Sequence, residues 1–380
     1  MKILYVSSIL TVHDARFLEK LASKYDTYLV TFIENNIPDN IRDIKGLTVF
    51  HLPTEYFIFT PRDNIFTKIR KTITYRVNIL RKKAFLKNII KNITPQIVHA
   101  GWVQEAGFIT ALTKFHPFVL MPWGCDILTR PYTGKEQMNM TKYTLKKADK
   151  IICDCDEVRN KIIKLANIDK NKITVYRWGV DLDLFKPSPN GNILKKLGWE
   201  GKKVIISTRH FEKIYGLNYL AEAIPQIIKN NPDARFIFCG DGEEKDKILD
   251  IIKKAGVSEY VHFAGKVIPQ ELPSYLNCSD IYVSTSLSDG TSISLLEAFA
   301  CGKPVAVTGI PSNKELVKDG INGFIMPAGD PKAVSFTIST LLKDSSLRDA
   351  MGQANRTQVE ERFNWDKNFE IIEEVYKELV

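Results

Sequence analysis

The sequence lacks any apolar run that approaches the about 20 residues of a membrane-spanning helix. Cysteine is scarce: six are scattered along the chain, and Cys153 and Cys155 lack the second pair that a zinc site requires. The amino end, Met1–Val6, has the pattern of a strand and no signal-peptide cleavage site. These absences argue against a secreted, disulfide-bonded or zinc-binding protein and predict a cytoplasmic one with reduced thiols.

Three sequence motifs are also missing. No G-x-G-x-x-G loop follows the first predicted strand, Ile3–Ser7, which argues against a nucleotide-dependent oxidoreductase, the first alternative function. No D-x-D triplet accompanies a turn that is suited to holding a nucleotide, so we predict no requirement for a metal ion. No nucleic-acid-binding motif or aromatic platform for single strands is recognisable, so nucleic acid is the weakest candidate partner.

Acidic residues are fewer than basic ones, 44 against 53, and the net charge of +9 implies an anionic partner. Much of the excess lies between Arg62 and Lys91, a stretch with ten Lys or Arg and a single acid, Asp63. Apolar residues recur there at three- and four-residue steps, as on one helical face: Phe66, Ile69, Ile73, Val77, Leu80 and Ala84. Two interpretations are open. Either this face packs on its own domain, or the segment holds the protein on an anionic cytoplasmic membrane surface.

The length of 380 residues accommodates two domains. Short apolar segments alternate with helix-like ones, and the predicted strands are Ile3–Ser7, Thr27–Phe32, Ile97–Ala100, Phe118–Met121, Lys150–Cys153, Ile173–Tyr176, Val204–Thr208, Arg235–Cys239, Ile281–Thr285 and Val305–Val307. This alternation favours an α/β protein whose doubly wound parallel sheets are covered on both faces. The predicted boundaries are a first domain at 1–184, a turn-rich linker at 185–200, a second domain at 201–362 and a final helix at 363–380.

The most informative motif is D-G-T-S-I-S-L-L-E, from Asp289 to Glu297. It follows a strand-like segment and precedes the helix stop Gly302-Lys303-Pro304, so two carboxylates flank the first turns of a helix. Helix amino termini hold phosphates, and carboxylates accept hydrogen bonds from sugar and ribose hydroxyls. The motif therefore indicates a nucleotide-sugar site. The alternative is a solvated acidic pair around an ordinary strand-helix turn.

A carboxylate, seven residues and a glutamate, followed by A-F-A-C-G-K-P-V-A-V, resemble the signature of the family 4 retaining glycosyltransferases. One departure is that Asp289 stands where the family usually has glutamate. The resemblance covers almost the whole chain. It implies the GT-B fold, with two Rossmann-like doubly wound domains facing a central cleft and a last helix, here Trp365–Leu379, that crosses back to the first domain.

The resemblance also implies roles for residues of the second domain. Arg209 and Lys213 would bind the donor diphosphate, although R-H-F-E-K-I-Y-G places Lys213 one position early. The other donor-binding residues would be Asp289, Gly290, Thr291 and Ser292 for the sugar and its phosphate, Glu297 for the ribose, and Gly240, Lys266 and Val267 for the nucleotide. Without the resemblance, Arg209 and Lys213 could equally form a routine basic turn, and Gly240 an ordinary one.

Two residues of the first domain complete the predicted catalytic set. His13, at the start of a helix, is similar to a histidine in one branch of the family and would contact the acceptor or the donor phosphate. Asp126, after the strand Phe118–Met121, is the best first-domain carboxylate for the sugar or acceptor. The alternatives are a helix cap or surface histidine for His13 and a turn-capping acid for Asp126. Trp123 stands near where the family often has a histidine, and His99 is open to interpretation as a buried structural residue.

The resemblance thus implies a metal-independent retaining glycosyltransferase without a cofactor. Its donor would be a nucleotide sugar, most simply a UDP-sugar carrying a hexose or N-acetylhexosamine. Its acceptor would be a glycan, a glycolipid or a lipid-linked sugar in surface polysaccharide or glycoconjugate synthesis. A second alternative is a non-catalytic nucleotide-sugar-binding or docking protein, because Asp289 and Lys213 depart from the family pattern.

Overall fold

The computed structural model of the chain describes residues 1–54, 64–189 and 192–380, with all side chains in these ranges except those at 12, 13, 65, 68 and 69. Arg62 and Asp63 of the basic segment, and 190–191 of the predicted linker, lie outside the described residues. The chain forms two compact units. The first comprises Met1–Asp154, Val158–Tyr176 and Ile372–Val380, and the second comprises Cys155–Glu157 and Arg177–Ile371.

In its described residues, the first unit is built on seven parallel strands: β1 Lys2–Ser7, β2 Asp26–Thr31, β3 Leu47–His51, β4 Ile97–Gly101, β5 Phe118–Met121, β6 Lys150–Cys153 and β7 Ile173–Val175. They are arranged in the order β3-β2-β1-β4-β5-β6-β7. The helices of this part of the chain are α1 Val12–Lys24, α2 Asp39–Arg42, α3 Ile65–Ile93, α4 Phe108–Thr113, α5 Cys125–Leu128, α6 Lys135–Lys147 and α7 Asp156–Ala166. The central strand β1 buries five consecutive side chains, from Ile3 to Ser7, as expected for a parallel sheet covered on both faces.

The part of the second unit that the structure describes has six parallel strands: β8 Lys203–Ser207, β9 Ala234–Cys239, β10 Val261–Gly265, β11 Ile281–Ser284, β12 Val305–Thr308 and β13 Gly323–Met326. Their order is β10-β9-β8-β11-β12-β13. The remaining helices are α8 Ile193–Leu197, α9 Leu217–Asn230, α10 Lys245–Lys254, α11 Leu272–Asn277, α12 Ile293–Ala300, α13 Pro311–Leu316, α14 Pro331–Lys343, α15 Ser345–Arg362 and α16 Trp365–Lys377. Alternate residues of β8 enter the two cores, Ile205 on one face and Val204 and Ile206 on the other.

The predicted α/β fold of two doubly wound parallel sheets is therefore confirmed. In each sheet the strand order reverses at one point, between β1 and β4 in the first unit and between β8 and β11 in the second. Loops that follow the carboxyl ends of strands at such a reversal are the usual place for ligand binding. In the second unit this point lies where β8 leads to Arg209 and β11 leads to Asp289.

The last residues of the chain, Ile372–Val380, belong to the first unit. The Tyr376 hydroxyl is hydrogen-bonded to Nδ1 of His99, and both residues are fully buried. Burial lowers the pKa of His99 to about 3, so its imidazole is neutral in the folded protein. His99 thus takes part in anchoring the carboxyl-terminal residues, as a buried structural histidine does.

Helix α3 has two different sides. Leu86, Ile89 and Ile93 are buried, whereas Phe66, Ile73, Val77 and Leu80 are 80%, 58%, 46% and 63% exposed. The exposed basic residues Arg70, Arg76, Arg81 and Lys87 flank this apolar stripe on a helix of 3.6 residues per turn. The interpretation in which the stripe packs on its own domain is therefore wrong for these four apolar side chains. Among the helices of the described ranges, none combines the length and apolar content that crossing a bilayer requires.

Candidate functional site

The loop between β11 and α12 is joined to the turn that follows β8. Leu287 N donates to Ile214 O at 2.8 Å, and Thr285 Oγ1 donates to the Tyr215 carbonyl at 3.2 Å. Gly216 permits this approach, because it has a φ of +57° and a Cβ built there would lie 2.5 Å from Thr285 O. The two strand ends predicted to carry the site are therefore brought together by these hydrogen bonds and by the close backbone approach at Gly216.

Arg209 is the centre of this junction. Its Nη1 donates to the hydroxyls of Ser292 and Ser294, at 2.8 Å each, and its Nη2 donates to Asp289 Oδ2 at 2.7 Å. The guanidinium also stacks on the Tyr215 ring at 3.9 Å from its centroid, and the side chain is 8% exposed. These contacts fix the position and orientation of a buried cation at the amino terminus of α12.

The charge of Arg209 is secured by its neighbours. Burial, the largest single influence, would lower the pKa of the guanidinium, but Asp289, Tyr215 and Tyr282 together outweigh it and raise the pKa above its ordinary value. Ser292, the residue before α12, makes no side-chain hydrogen bond to the first turn of the helix, and its hydroxyl accepts from Arg209 instead. A positive side chain and the first-turn N–H groups of an eight-residue helix thus lie together, an arrangement suited to phosphate.

The other predicted donor residues of the D-G-T-S motif surround this cation. Gly290, Thr291 and Ser292 are buried in the loop that leads to α12, and Glu297 is half-buried in the second turn of the helix. Asp289 is in direct contact with Arg209. The sequence reasoning did not single out Ser294, which accepts from Arg209 and from the Tyr282 hydroxyl at 3.0 Å. Ser294 lies one helical turn before Glu297, and this spacing could have indicated that both side chains lie on the same face of α12.

Gly240 and the segment after β10 also adjoin Arg209. Gly240 has a φ of +148°, and a Cβ there would lie 2.6 Å from Arg209 O. Its N–H donates to Gly265 O at 2.7 Å, which places Lys266 next to this turn in the chain. Lys266 is exposed and Val267 is half-buried, while Lys213 is exposed in the short helical turn Lys213–Tyr215. Their predicted contacts with a nucleotide and its diphosphate stay predictions.

Asp126 has a different environment from the acids of the second unit. Its side chain is fully buried, Oδ2 accepts from Val103 N at 3.0 Å, and Oδ1 accepts from Trp123 N at 2.9 Å. Burial raises the pKa of this carboxyl to about 6, although both backbone N–H groups oppose the shift. The carboxylate holds two loops together, and its role as an acid for the sugar or acceptor stays a prediction.

The start of α1 contains a residue that sequence reasoning missed. His13 is the second residue of α1, and its side chain lies outside the described ones. The next residue, Asp14, is buried and accepts from Thr11 N at 2.9 Å, Thr11 Oγ1 at 2.8 Å and the Tyr5 hydroxyl at 3.1 Å. Burial raises the pKa of Asp14 to about 6. The T-x-x-D pattern from Thr11 is a capping box and could have revealed this role.

Comparison with known proteins identifies related chains. The family model described as "Glycosyl transferases group 1" matches residues 190–358, and the model "Glycosyl transferase 4-like" matches 2–155. An uncharacterised glycosyltransferase of Methanocaldococcus jannaschii is 26% identical over 371 residues, which cover 94% of this chain and 97% of that protein. The UDP-Gal:alpha-D-GlcNAc-diphosphoundecaprenol alpha-1,3-galactosyltransferase of Escherichia coli is 29% identical, but the match covers 63% of this chain and 62% of that protein, less than two thirds of either.

Solved structures show the same fold. HepE of Anabaena in complex with UDP superposes with a TM-score of 0.80 over 100% of both chains at 20% sequence identity. A structure of the same protein in complex with UDP-glucose gives a TM-score of 0.79 at 19% identity, over 99% of this chain and 100% of that one. At this level of sequence identity the likeness shows the fold alone.

Proposed function

Since the chain belongs to the family 4 glycosyltransferases of the GT-B fold and uses a nucleotide-sugar donor, we propose that it is a retaining enzyme that transfers a hexosyl or N-acetylhexosaminyl group from a UDP-sugar. Its acceptor is a glycan, a glycolipid or a lipid-linked sugar in surface polysaccharide or glycoconjugate synthesis. The observation that carries this proposal is the fixed Arg209 cation at the amino terminus of α12, flanked by the carboxylates of Asp289 and Glu297.

The related proteins support the choice of donor and acceptor. HepE has been solved with UDP and with UDP-glucose, which supports a uridine nucleotide. The Escherichia coli relative is named for transfer from UDP-Gal to a diphosphoundecaprenol-linked sugar, which supports a lipid-linked acceptor.

The proposed mechanism needs positive charge at the leaving group. The bond between the anomeric carbon and the donor phosphate breaks, and the bond to the acceptor oxygen forms on the same face of the sugar. The leaving diphosphate takes the acceptor proton. Arg209, Lys213 and the first-turn N–H groups of α12 stabilise the charge that builds up on the diphosphate. Glu297 binds the ribose, and the loop Asp289–Ser292 holds the sugar.

No cofactor and no divalent metal take part in this proposal, because the cations at the phosphate are side chains. The described residues contain no group of three or more His, Cys, Asp or Glu side chains that would hold a metal ion. The second candidate function, a non-catalytic nucleotide-sugar-binding protein, is favoured only by the shorter acid at Asp289 and the early position of Lys213.

The test is transfer from a panel of UDP-, GDP- and ADP-sugars, after a thermal-shift screen that selects the donor that stabilises the protein most. We expect transfer from a UDP-sugar with retention of anomeric configuration, and the same rate after a chelator has been added. Nucleotide-sugar binding without transfer to any glycan or lipid-linked acceptor would favour the non-catalytic alternative. Activity that a chelator abolishes and manganese restores would contradict the metal-independent mechanism.

We further propose that the exposed stripe of α3 places the enzyme on the cytoplasmic face of an anionic membrane, where a lipid-linked acceptor lies. The stripe presents Phe66, Ile73, Val77 and Leu80 to solvent, with arginine or lysine on both sides. An amphipathic helix of this composition lies in the membrane interface with its apolar side chains in the headgroup region. Each arginine or lysine beside the stripe contributes about 1 kcal/mol of binding free energy near an anionic surface.

Co-sedimentation with phosphatidylserine-containing vesicles tests this surface. We expect binding at low salt that weakens steeply as salt is raised, because exposed charges are screened. Replacement of Arg76, Arg81 and Lys87 by glutamate should abolish this binding. The matched control replaces Lys195, Lys229 and Lys253, which are exposed in the second unit, by glutamate and should bind like the wild type. If the wild-type protein does not co-sediment with anionic vesicles at low salt, the proposal that the stripe binds a membrane surface is excluded.

A further inference from the structure

Both terminal nitrogens of the Arg209 guanidinium donate to protein atoms. Nη1 donates to two serine hydroxyls, and Nη2 donates to Asp289 Oδ2 at 2.7 Å. Nε is buried and has no hydrogen-bond partner in the part of the chain that the structure describes. Nη1 already gives both of its N–H groups to serines, so a phosphate that takes hydrogen bonds from both terminal nitrogens of Arg209 must displace one of their present partners.

The three partners differ in what they do to an incoming phosphate. Ser292 and Ser294 carry neutral hydroxyls, which can accept from Arg209 and at the same time donate to a phosphate oxygen. Asp289 carries a carboxylate, which only accepts hydrogen bonds and has the same sign of charge as phosphate. Two anions a few ångströms apart in a site that is largely shielded from water repel strongly. Asp289 is therefore the partner that a phosphate displaces.

We propose that Asp289 occupies the phosphate-binding edge of Arg209 and exchanges with the donor diphosphate. The released carboxylate then accepts hydrogen bonds from hydroxyls of the donor sugar. This inference rests on the proposed function, and it gives Asp289 a second role in addition to sugar contact. It also gives a reason for the ion pair, which the sugar-contact role alone does not require.

The exchange makes Asp289 a specificity-determining residue. A nucleoside diphosphate must break the Arg209–Asp289 ion pair and offers the released carboxylate no hydroxyl in return. A nucleotide sugar breaks the same ion pair but supplies sugar hydroxyls as new donors. The site therefore discriminates against the diphosphate product relative to the donor. After transfer, the return of Asp289 to Arg209 favours release of the product.

The experiment measures the dissociation constants of UDP, uridine and the UDP-sugar selected above for the full chain and for Asp289→Asn, which removes the charge and keeps the shape. We expect Asp289→Asn to bind UDP at least about tenfold more tightly, because a like charge next to the phosphate is gone. Uridine, which has no phosphate, should bind equally to both proteins. The UDP-sugar should lose its advantage over UDP in the variant, and UDP should become a stronger product inhibitor.

Two control variants separate charge from other effects. Asp250→Asn removes an exposed acid that pairs with Lys254 on α10, and it should leave all three dissociation constants unchanged. Asp289→Glu keeps the negative charge and should bind UDP no more tightly than the wild type. Equal or weaker UDP binding by a folded Asp289→Asn would overturn the exchange while leaving the proposed function intact. A wild type that binds neither UDP, GDP nor ADP would instead overturn the proposed function, and the exchange with it.

Discussion

Replacement of Arg209 by alanine should lower kcat at least about 100-fold, the effect seen when one preorganised donor to a developing negative charge is removed. Arg209 is held by Asp289, Ser292 and Ser294, so the enzyme needs no reorganisation of this side chain beyond release of Asp289. Arg209→Lys should give an intermediate rate, because lysine keeps the charge but loses the planar fork. Steady-state transfer rates at saturating donor measure both effects.

Arg235→Ala is the matched control for Arg209→Ala. Arg235 also stacks on a tyrosine ring, that of Tyr260 at 4.7 Å, and its Nη1 donates to two backbone carbonyls, but it lies away from the β11–α12 loop. It should keep the wild-type kcat. A folded Arg209→Ala variant with unchanged kcat and unchanged affinity for nucleoside diphosphate would contradict the assignment of Arg209 to the leaving group.

The strands that the sequence revealed are those with continuous apolar runs. Buried parallel strands such as β1 and β5 show no polar alternation, and their lengths and turn residues identify them. The three strands that escaped prediction, β3, β10 and β13, all lie at a sheet edge. None of the residues of β3 and β10 is fully buried, and β13 buries only two of its four, so these edge strands lack the continuous buried run of the central strands. The edge strand β7 was found because Ile-Thr-Val is rich in β-branched residues.

The sequence predicted individual residues of the site but not the contacts between them. Arg209 and Asp289 each follow a strand, and the resemblance to a family linked both to one ligand. Their direct ion pair depends on the close backbone approach of Gly216 to Thr285, which no local sequence pattern encodes. Tyr215 and Ser294 were missed as partners of Arg209 for the same reason. Likewise, the stripe on α3 has the same periodicity whether it is covered or exposed, so only the structure distinguishes the two.

Replacement of Asp126 has the second large expected effect. We expect it to lower the stability of the protein rather than the rate of transfer. Replacement by alanine leaves the backbone N–H groups of Val103 and Trp123 buried without their present partner. Each such loss costs about 1–3 kcal/mol, and removal of a buried charge offsets part of it, so we expect a net loss of about 2–4 kcal/mol. For a domain of the size of the first unit, the melting temperature should fall by roughly 5–10 °C in a thermal unfolding experiment.

Asp169→Ala is the matched control in the same unit. Asp169 also accepts from a backbone N–H, that of Asn171 at 2.9 Å, but in an exposed turn where water replaces the carboxylate. Its loss should cost at most about 1 kcal/mol. Since both variants remove one carboxylate that accepts from the backbone, the difference between them measures burial. An Asp126→Ala variant that melts like the wild type but has lost transfer activity would instead place Asp126 at the substrate, as its position after β5 predicts from sequence.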